Sequence, residues 1–171
     1  MDNPTGVLPA KAGIRLTYAM LIALLVIALD QASKAWILYD LMNPPTVLKV
    51  FPFLDFVLAW NKGVGFGLLQ AHSYWGTAGL IAIALGISLS LGVWIWRTTD
   101  NLLLVSLSMV IGGAIGNIID RLRFDGAVVD FIHVPVYIFG YHFPAFNIAD
   151  SAITVGICLL ILESYVRKKS D

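Results

Sequence analysis

Of the 171 residues, 58% are hydrophobic and only 13% are charged, about half the charge of an ordinary soluble domain, which excludes a soluble globular protein. The length allows one integral membrane domain, residues 1–171, with a handful of spans. Eleven basic side chains balance eleven acidic ones without a basic run, which argues against nucleic acid as a partner, and a lone cysteine, Cys158, excludes an internal disulfide.

Residues 1–13, with Pro4 and Pro9, form a lead-in that ends among Lys11 and Arg15. Leu16 to Leu29 is then uncharged for fourteen residues. A signal peptide would need a small-residue cleavage site behind such a core. Instead Ala28-Leu29 runs straight into Asp30-Gln31-Ala32-Ser33-Lys34, so the expectation is a retained first span over about 15–38. Asp30 and Lys34 stand i,i+4 with the acid first, the favourable order for a local ion pair that closes the span near the interface. A paired charge at the mouth of a span can also brace a site, so both are secondary site candidates.

Asn43-Pro44-Pro45 breaks the helical pattern, and Val47 to Trp60 is β-branched and aromatic with partial alternation. This predicts two or three short strands within a β-rich segment over about 43–70, with Pro52 at an edge or bend. In Asn61-Lys62-Gly63-Val64-Gly65-Phe66-Gly67 three alternate glycines permit either a tight loop or close approach of a substrate backbone, with Asn61 supplying an amide.

A second span is predicted over about 73–96, because Trp75 to Trp96 is twenty-two residues without an ionisable group and has Trp at both ends. Gly76, Gly79, Ala82 and Gly86 offer a small-residue packing face. A short turn at 97–101 makes the third span, about 102–122, antiparallel to the second, with Gly112 and Gly116 as a packing pair. The fourth span is placed over about 144–165, where Cys158 reads as a small buried apolar residue. Six basic residues (Lys11, Arg15, Arg97, Arg167, Lys168, Lys169) fall on the side of the termini and five on the other, placing both termini in the cytoplasm.

Four aspartates punctuate the stretch from Ile111 to Asp150. Asp120 has Arg121 and Arg123 beside it and reads as a structural ion-pair partner. Asp125 precedes Gly126 and reads as a turn. Asp130 and Asp150 have apolar sequence neighbours that disfavour charge, which makes them the candidates for a titrating pair sharing one proton and activating a water. Asn117, Asp120 and Arg121 follow one another at helical spacing as a polar cluster. His72, His133 and His142 show no metal-ligand spacing and read as loop histidines. Intramembrane acids would also suit a cation carrier, but the second span carries no ionisable group and the acids gather at one end.

Five separated motifs carry a resemblance: Asp30-Gln31-Ala32-Ser33-Lys34; Asn61-Lys62-Gly63; Gly112-Gly113-Ala114-Ile115-Gly116-Asn117-Ile118-Ile119-Asp120-Arg121; Val128-Val129-Asp130-Phe131; and Phe146-Asn147-Ile148-Ala149-Asp150-Ser151. From about residue 15 to 165 the chain resembles bacterial lipoprotein signal peptidase, signal peptidase II. The resemblance implies a mainly α integral membrane protein with four transmembrane helices and a small β-rich periplasmic cradle. It also implies an aspartyl endopeptidase of the inner membrane that needs no cofactor or metal and is the target of the cyclic peptide globomycin. The implied activity removes signal peptides from diacylglyceryl-modified prolipoproteins just before the lipidated cysteine. By motif, the catalytic residues fall on Asp130 and Asp150, and the supporting residues on Asp30, Lys34, Asn61, Gly63, Asn117, Asp120, Arg121 and Asn147. The partners are lipid-modified prolipoprotein signal peptides and membrane lipids, and the chain is taken as a monomer. One departure is Val64-Gly65, where many relatives carry two alanines.

Overall fold

The computed structural model describes residues 10–64, 69–70, 73–138 and 141–170. Four helices are long and apolar enough to cross a membrane. Helix α1, Ala10–Trp36, continues into a widened π turn over Ile37–Leu41, in which the Met42 N–H donates to the Ile37 carbonyl at 2.8 Å. The helical path thus passes Leu38 and ends only where Pro44 and Pro45 forbid it.

Two strands follow, β1 (Leu48–Phe51) and β2 (Leu54–Asn61), joined by a turn at Pro52-Phe53, and then the short pair β3 (Gly63–Val64) and β4 (Leu69–Gln70). Helix α2 spans Tyr74–Arg97, and the Ser73 hydroxyl caps it by accepting the Gly76 N–H. Helix α3, Asn101–Arg123, is capped by the Asp100 carboxylate, which accepts the Leu103 N–H at 2.8 Å. Strand β5 (Val128–His133), the hairpin β6 (Tyr137–Ile138) and β7 (Tyr141–His142), and helix α4 (Ile148–Ser170) complete the chain.

Helix α3 is the hub. Of its apolar window 61% is buried, against 6% in α2, because α1, α2 and α4 all pack on it. Glycines set the closeness of two of these contacts. A Cβ at Gly112 would sit 2.8 Å from the Ala23 carbonyl oxygen of α1, and one at Gly113 would overlap the Ala149 carbonyl of α4. Helix α2 behaves otherwise: nothing lies within 4 Å of a Cβ built at Gly79 or Gly86, and Ala82 is exposed. The small-residue face expected there for helix packing is turned outward to lipid. Cys158 is likewise exposed, so its apolar surroundings are hydrocarbon and not a protein core.

Strand β5 joins the first two strands in one antiparallel sheet of order β1-β2-β5. The sheet is therefore closed by a segment that lies beyond two membrane helices in sequence. The register pairs Ala59 with Asp130 and Asn61 with Val128. Side chains two apart on one strand share a face, so Asn61 and Asp130 are diagonal neighbours. The fourth helix begins at Ile148 and not near Pro144, because Phe146 is still bridged to Ile132 of β5 and Asn147 serves as the cap.

Candidate active site

Four elements end at one membrane face: the C-terminal parts of α1 and α3, the start of β5 and the N-terminus of α4. Asp130 is 2% exposed on β5. Its Oδ1 accepts the Asn147 amide at 2.7 Å and its Oδ2 accepts the Asn61 amide at 3.0 Å. Burial, and after it the negative charge of Asp150, push the Asp130 carboxyl from the ordinary range up to about 7.

Asp150 sits in the first turn of α4, and a reciprocal cap fixes its carboxylate. The Asn147 side-chain oxygen accepts the Asp150 N–H at 2.9 Å, while Asp150 Oδ2 accepts the Asn147 N–H at 3.3 Å. This is the capping-box exchange with Asn and Asp in its two places. The other oxygen, Oδ1, accepts the Asn117 amide at 2.8 Å. Asn147 also donates to Asn117 Oδ1 at 3.2 Å, so one continuous chain of amides links Asp130, Asn147, Asn117 and Asp150. The two aspartates selected from their apolar sequence surroundings thus share a single network.

Behind this network lies a buried ionic cluster. Lys34 is 2% exposed and Asp30 and Asp120 are 0% exposed. The Lys34 ammonium reaches Asp30 Oδ2 at 2.8 Å, Asp120 Oδ2 at 2.9 Å and Asn117 Oδ1 at 3.1 Å. The Asp30–Lys34 pair therefore forms as its spacing predicts, and it is buried within the protein. Asp120 is a structural ion-pair partner, as read from sequence, yet of Lys34 and not of the neighbouring arginines. Arg121 turns instead to the Gly63 carbonyl, 3.0 Å away, and Arg123 donates to Gln31 Oε1 at 3.0 Å.

The cluster grips the backbone beside both aspartates. Asp120 Oδ2 accepts the Val129 N–H at 3.0 Å, next to Asp130, and Asp30 Oδ1 accepts the Ala149 N–H at 2.9 Å, next to Asp150. An anion at the start of α4 also meets the positive end of the helix dipole. Gly116 permits this approach, since a Cβ there would lie 2.7 Å from Asp30 Oδ2.

Asn61 holds its loop as well as Asp130, because its side-chain oxygen accepts the Gly63 N–H at 2.9 Å. The amide that sequence assigned to either a loop or a substrate backbone is thus spent on Asp130. Gly65 and Gly67 lie outside the described residues, as does His72. Among the described residues, Arg121 keeps a buried Nε–H without an acceptor. Asp125 and Gly126 turn with φ of 49° and 86°, as the Asp-Gly step predicts. His133 lies on β5 beside Asp55, 3.6 Å away.

One member of the cluster had no role assigned from sequence. The Gln31 amide donates to Asp30, Asp120 and the Gly116 carbonyl at 2.9–3.2 Å. Its only signal was its place between Asp30 and Lys34, because a glutamine in an apolar helix needs partners.

The fold and site define a four-span membrane protein with a buried polar centre at one face. The family model described as Signal peptidase (SPase) II matches residues 22–166, and the chain belongs to that family, which makes it a peptidase. It is 42% identical to the lipoprotein signal peptidase of Nitrobacter hamburgensis over 163 residues, covering 93% of this chain and 94% of that protein. It is 43% identical to the lipoprotein signal peptidase of Methylorubrum extorquens over 148 residues, covering 84% of each. A bacterial membrane enzyme solved by the in meso method at 2.3 Å superposes with a TM-score of 0.78 at 32% identity, covering 91% of this chain and 92% of that one.

Proposed function

We propose that this chain is an aspartyl endopeptidase that removes the signal peptide from diacylglyceryl-modified prolipoproteins, cutting before the lipidated cysteine. The observation that carries the reading is the amide chain through Asn147 and Asn117 that ties Asp130 to Asp150. It ties both carboxyl groups into one hydrogen-bonded network, with amide donors on both oxygens of each.

In this mechanism Asp130, with its raised pKa, carries the proton near neutral pH and acts as general acid. Asp150 is the ionised partner and takes a proton from the attacking water. The water oxygen bonds to the scissile carbonyl carbon. Asp130 protonates the leaving amine as the C–N bond breaks, and the proton gained by Asp150 restores the shared state. Asn61, Asn117 and Asn147 hold the pair in register, and the free Arg121 Nε–H is a donor for a substrate carbonyl. Lys34, Asp30, Asp120 and Gly63 support that frame. No metal or cofactor enters any step. The termini are assigned to the cytoplasm and the dyad to the periplasmic face of the inner membrane, and the enzyme works as a monomer.

The test is cleavage of a diacylglyceryl-modified prolipoprotein by purified protein. Asp130→Asn and Asp150→Asn are each expected to lose about 10²–10⁴-fold or more in rate, while Asp125→Asn in the exposed turn keeps the parental rate. Normal cleavage by either dyad variant at matched folded amounts overturns the assignment.

A further inference from the structure

At the membrane face opposite the dyad, the ends of α2, α3 and α4 line an open cavity of about 780 Å³. Arg97 at the end of α2 and Arg167 near the end of α4 line it, together with Asp100 and Glu163. Trp94, Leu102 and Leu103 supply apolar wall. Among the described residues neither arginine makes an ion pair, and neither does Glu163, although all three line one cavity. Unpaired charges of both signs held around one space are matched by a ligand that carries both signs itself.

The cavity is preformed. Arg15 of α1 donates to Asn101 Oδ1 at 3.0 Å and to the Asp100 carbonyl at 2.9 Å, which pins the turn between α2 and α3. The N-terminus of α3 is already capped by Asp100, so the helix end contributes no free anion site.

We infer that this cavity binds the headgroup of a zwitterionic aminophospholipid, with Arg97 and Arg167 on the phosphodiester and Glu163 on the primary ammonium. Guanidinium groups suit phosphate oxygens through paired N–H donors. A carboxylate suits an ammonium that still has N–H bonds to give. A quaternary ammonium is recognised by a cage of aromatic rings, and Trp94 is the one aromatic ring in this lining. A purely anionic headgroup would meet Glu163 and Asp100 without a compensating cation of its own. The apolar wall beside the charges gives the glycerol backbone and first acyl carbons a dry surface, which selects a lipid over a soluble headgroup.

Native mass spectrometry of the purified full chain tests this with phosphatidylethanolamine, phosphatidylcholine and phosphatidylglycerol of identical acyl chains. The ethanolamine lipid is expected to be retained about threefold or more over the other two. Arg97→Ala with Arg167→Ala is expected to lower its occupancy about tenfold. Glu163→Gln, a near-isosteric change that keeps the fold, is expected to abolish the preference for ethanolamine over choline while phosphate binding persists. Soluble glycerophosphoethanolamine at matched concentration is expected not to compete. Equal retention of all three lipids, preference for the glycerol lipid, an unchanged double variant with a parental melting midpoint, or full competition by the soluble headgroup would each overturn the inference.

Discussion

Asp130 is where burial and chemistry meet most directly. Its carboxyl is raised to about 7 by burial and by Asp150, so the folded state binds the Asp130 proton more tightly than the unfolded chain does. The stability this group contributes is therefore present in acid and is lost as pH rises from about 4 to about 7. Two outcomes follow from that sign. In the proposed mechanism Asp130 gives up its proton, so cleavage, measured as kcat/KM, is expected to fall above pH 7 as that proton is lost. Asp130→Asn, which cannot ionise, is expected to melt at a higher temperature than the parent at pH 8, and the difference is expected to shrink toward pH 5. A parent that is equally stable at both pH values would contradict the raised carboxyl.

The same residue shows how far sequence reaches at this scale. The apolar neighbours of Asp130 and Asp150 marked both as candidates, because local hydrophobicity is written in the chain. The partners of Asp120 were not so written. Arg121 and Arg123 adjoin it in sequence, but on a helix adjacent residues point in different directions, and α1 delivers Lys34 to it instead.

Among the elements, α3 and its contacts carry the frame. Among the described residues, the Lys34 ammonium is the one cation paired with both Asp30 and Asp120, so Lys34→Met leaves two buried carboxylates unbalanced. A loss of about 3–5 kcal/mol of stability is expected, read as a lowered unfolding midpoint, with activity falling in step. Glycines on two helices give a sharper contrast. Gly113→Ala places a Cβ against the Ala149 carbonyl, which forces α4 away from α3 and costs about 1–3 kcal/mol. Because Asp150 rides on that first turn of α4, cleavage is expected to drop by about 10²-fold. Gly86→Ala meets open space and is expected to be neutral or stabilising by up to about 1 kcal/mol. Thermal melts and cleavage rates of the two variants side by side check both expectations. Small residues at similar spacings thus serve opposite surroundings on α2 and α3, and spacing alone does not distinguish a packing face from a lipid face.

At the scale of the whole molecule, one helix is enclosed by three, and the outer helices meet lipid. Cys158 reports on this directly. It lies ten residues beyond the start of α4, about 15 Å along the helix, on the outward side. In proteoliposomes a charged, impermeant maleimide is expected to leave it unmodified, and the same reagent is expected to label it fully once the chain is unfolded in detergent. Labelling in the intact bilayer would place that face of α4 in contact with water.

The four apolar spans, the break at Pro44, the strands near 47–60 and the turn at Asp125 were all legible in the sequence. Each depends on composition or spacing within a short window, and local physics is sufficient there. The tertiary structure alone decided what lies far apart in the chain. It recruited β5 into the sheet with β2, which sets Asn61 against Asp130, and it brought Lys34 to Asp120 and Asn117. It gave Gln31 its partners and turned Cys158 and the α2 glycines outward. The physical reason is the same in each case. A buried polar group takes whatever partner the packing of helices brings within about 3 Å, and that partner is fixed by the crossing of elements and not by any neighbour in sequence.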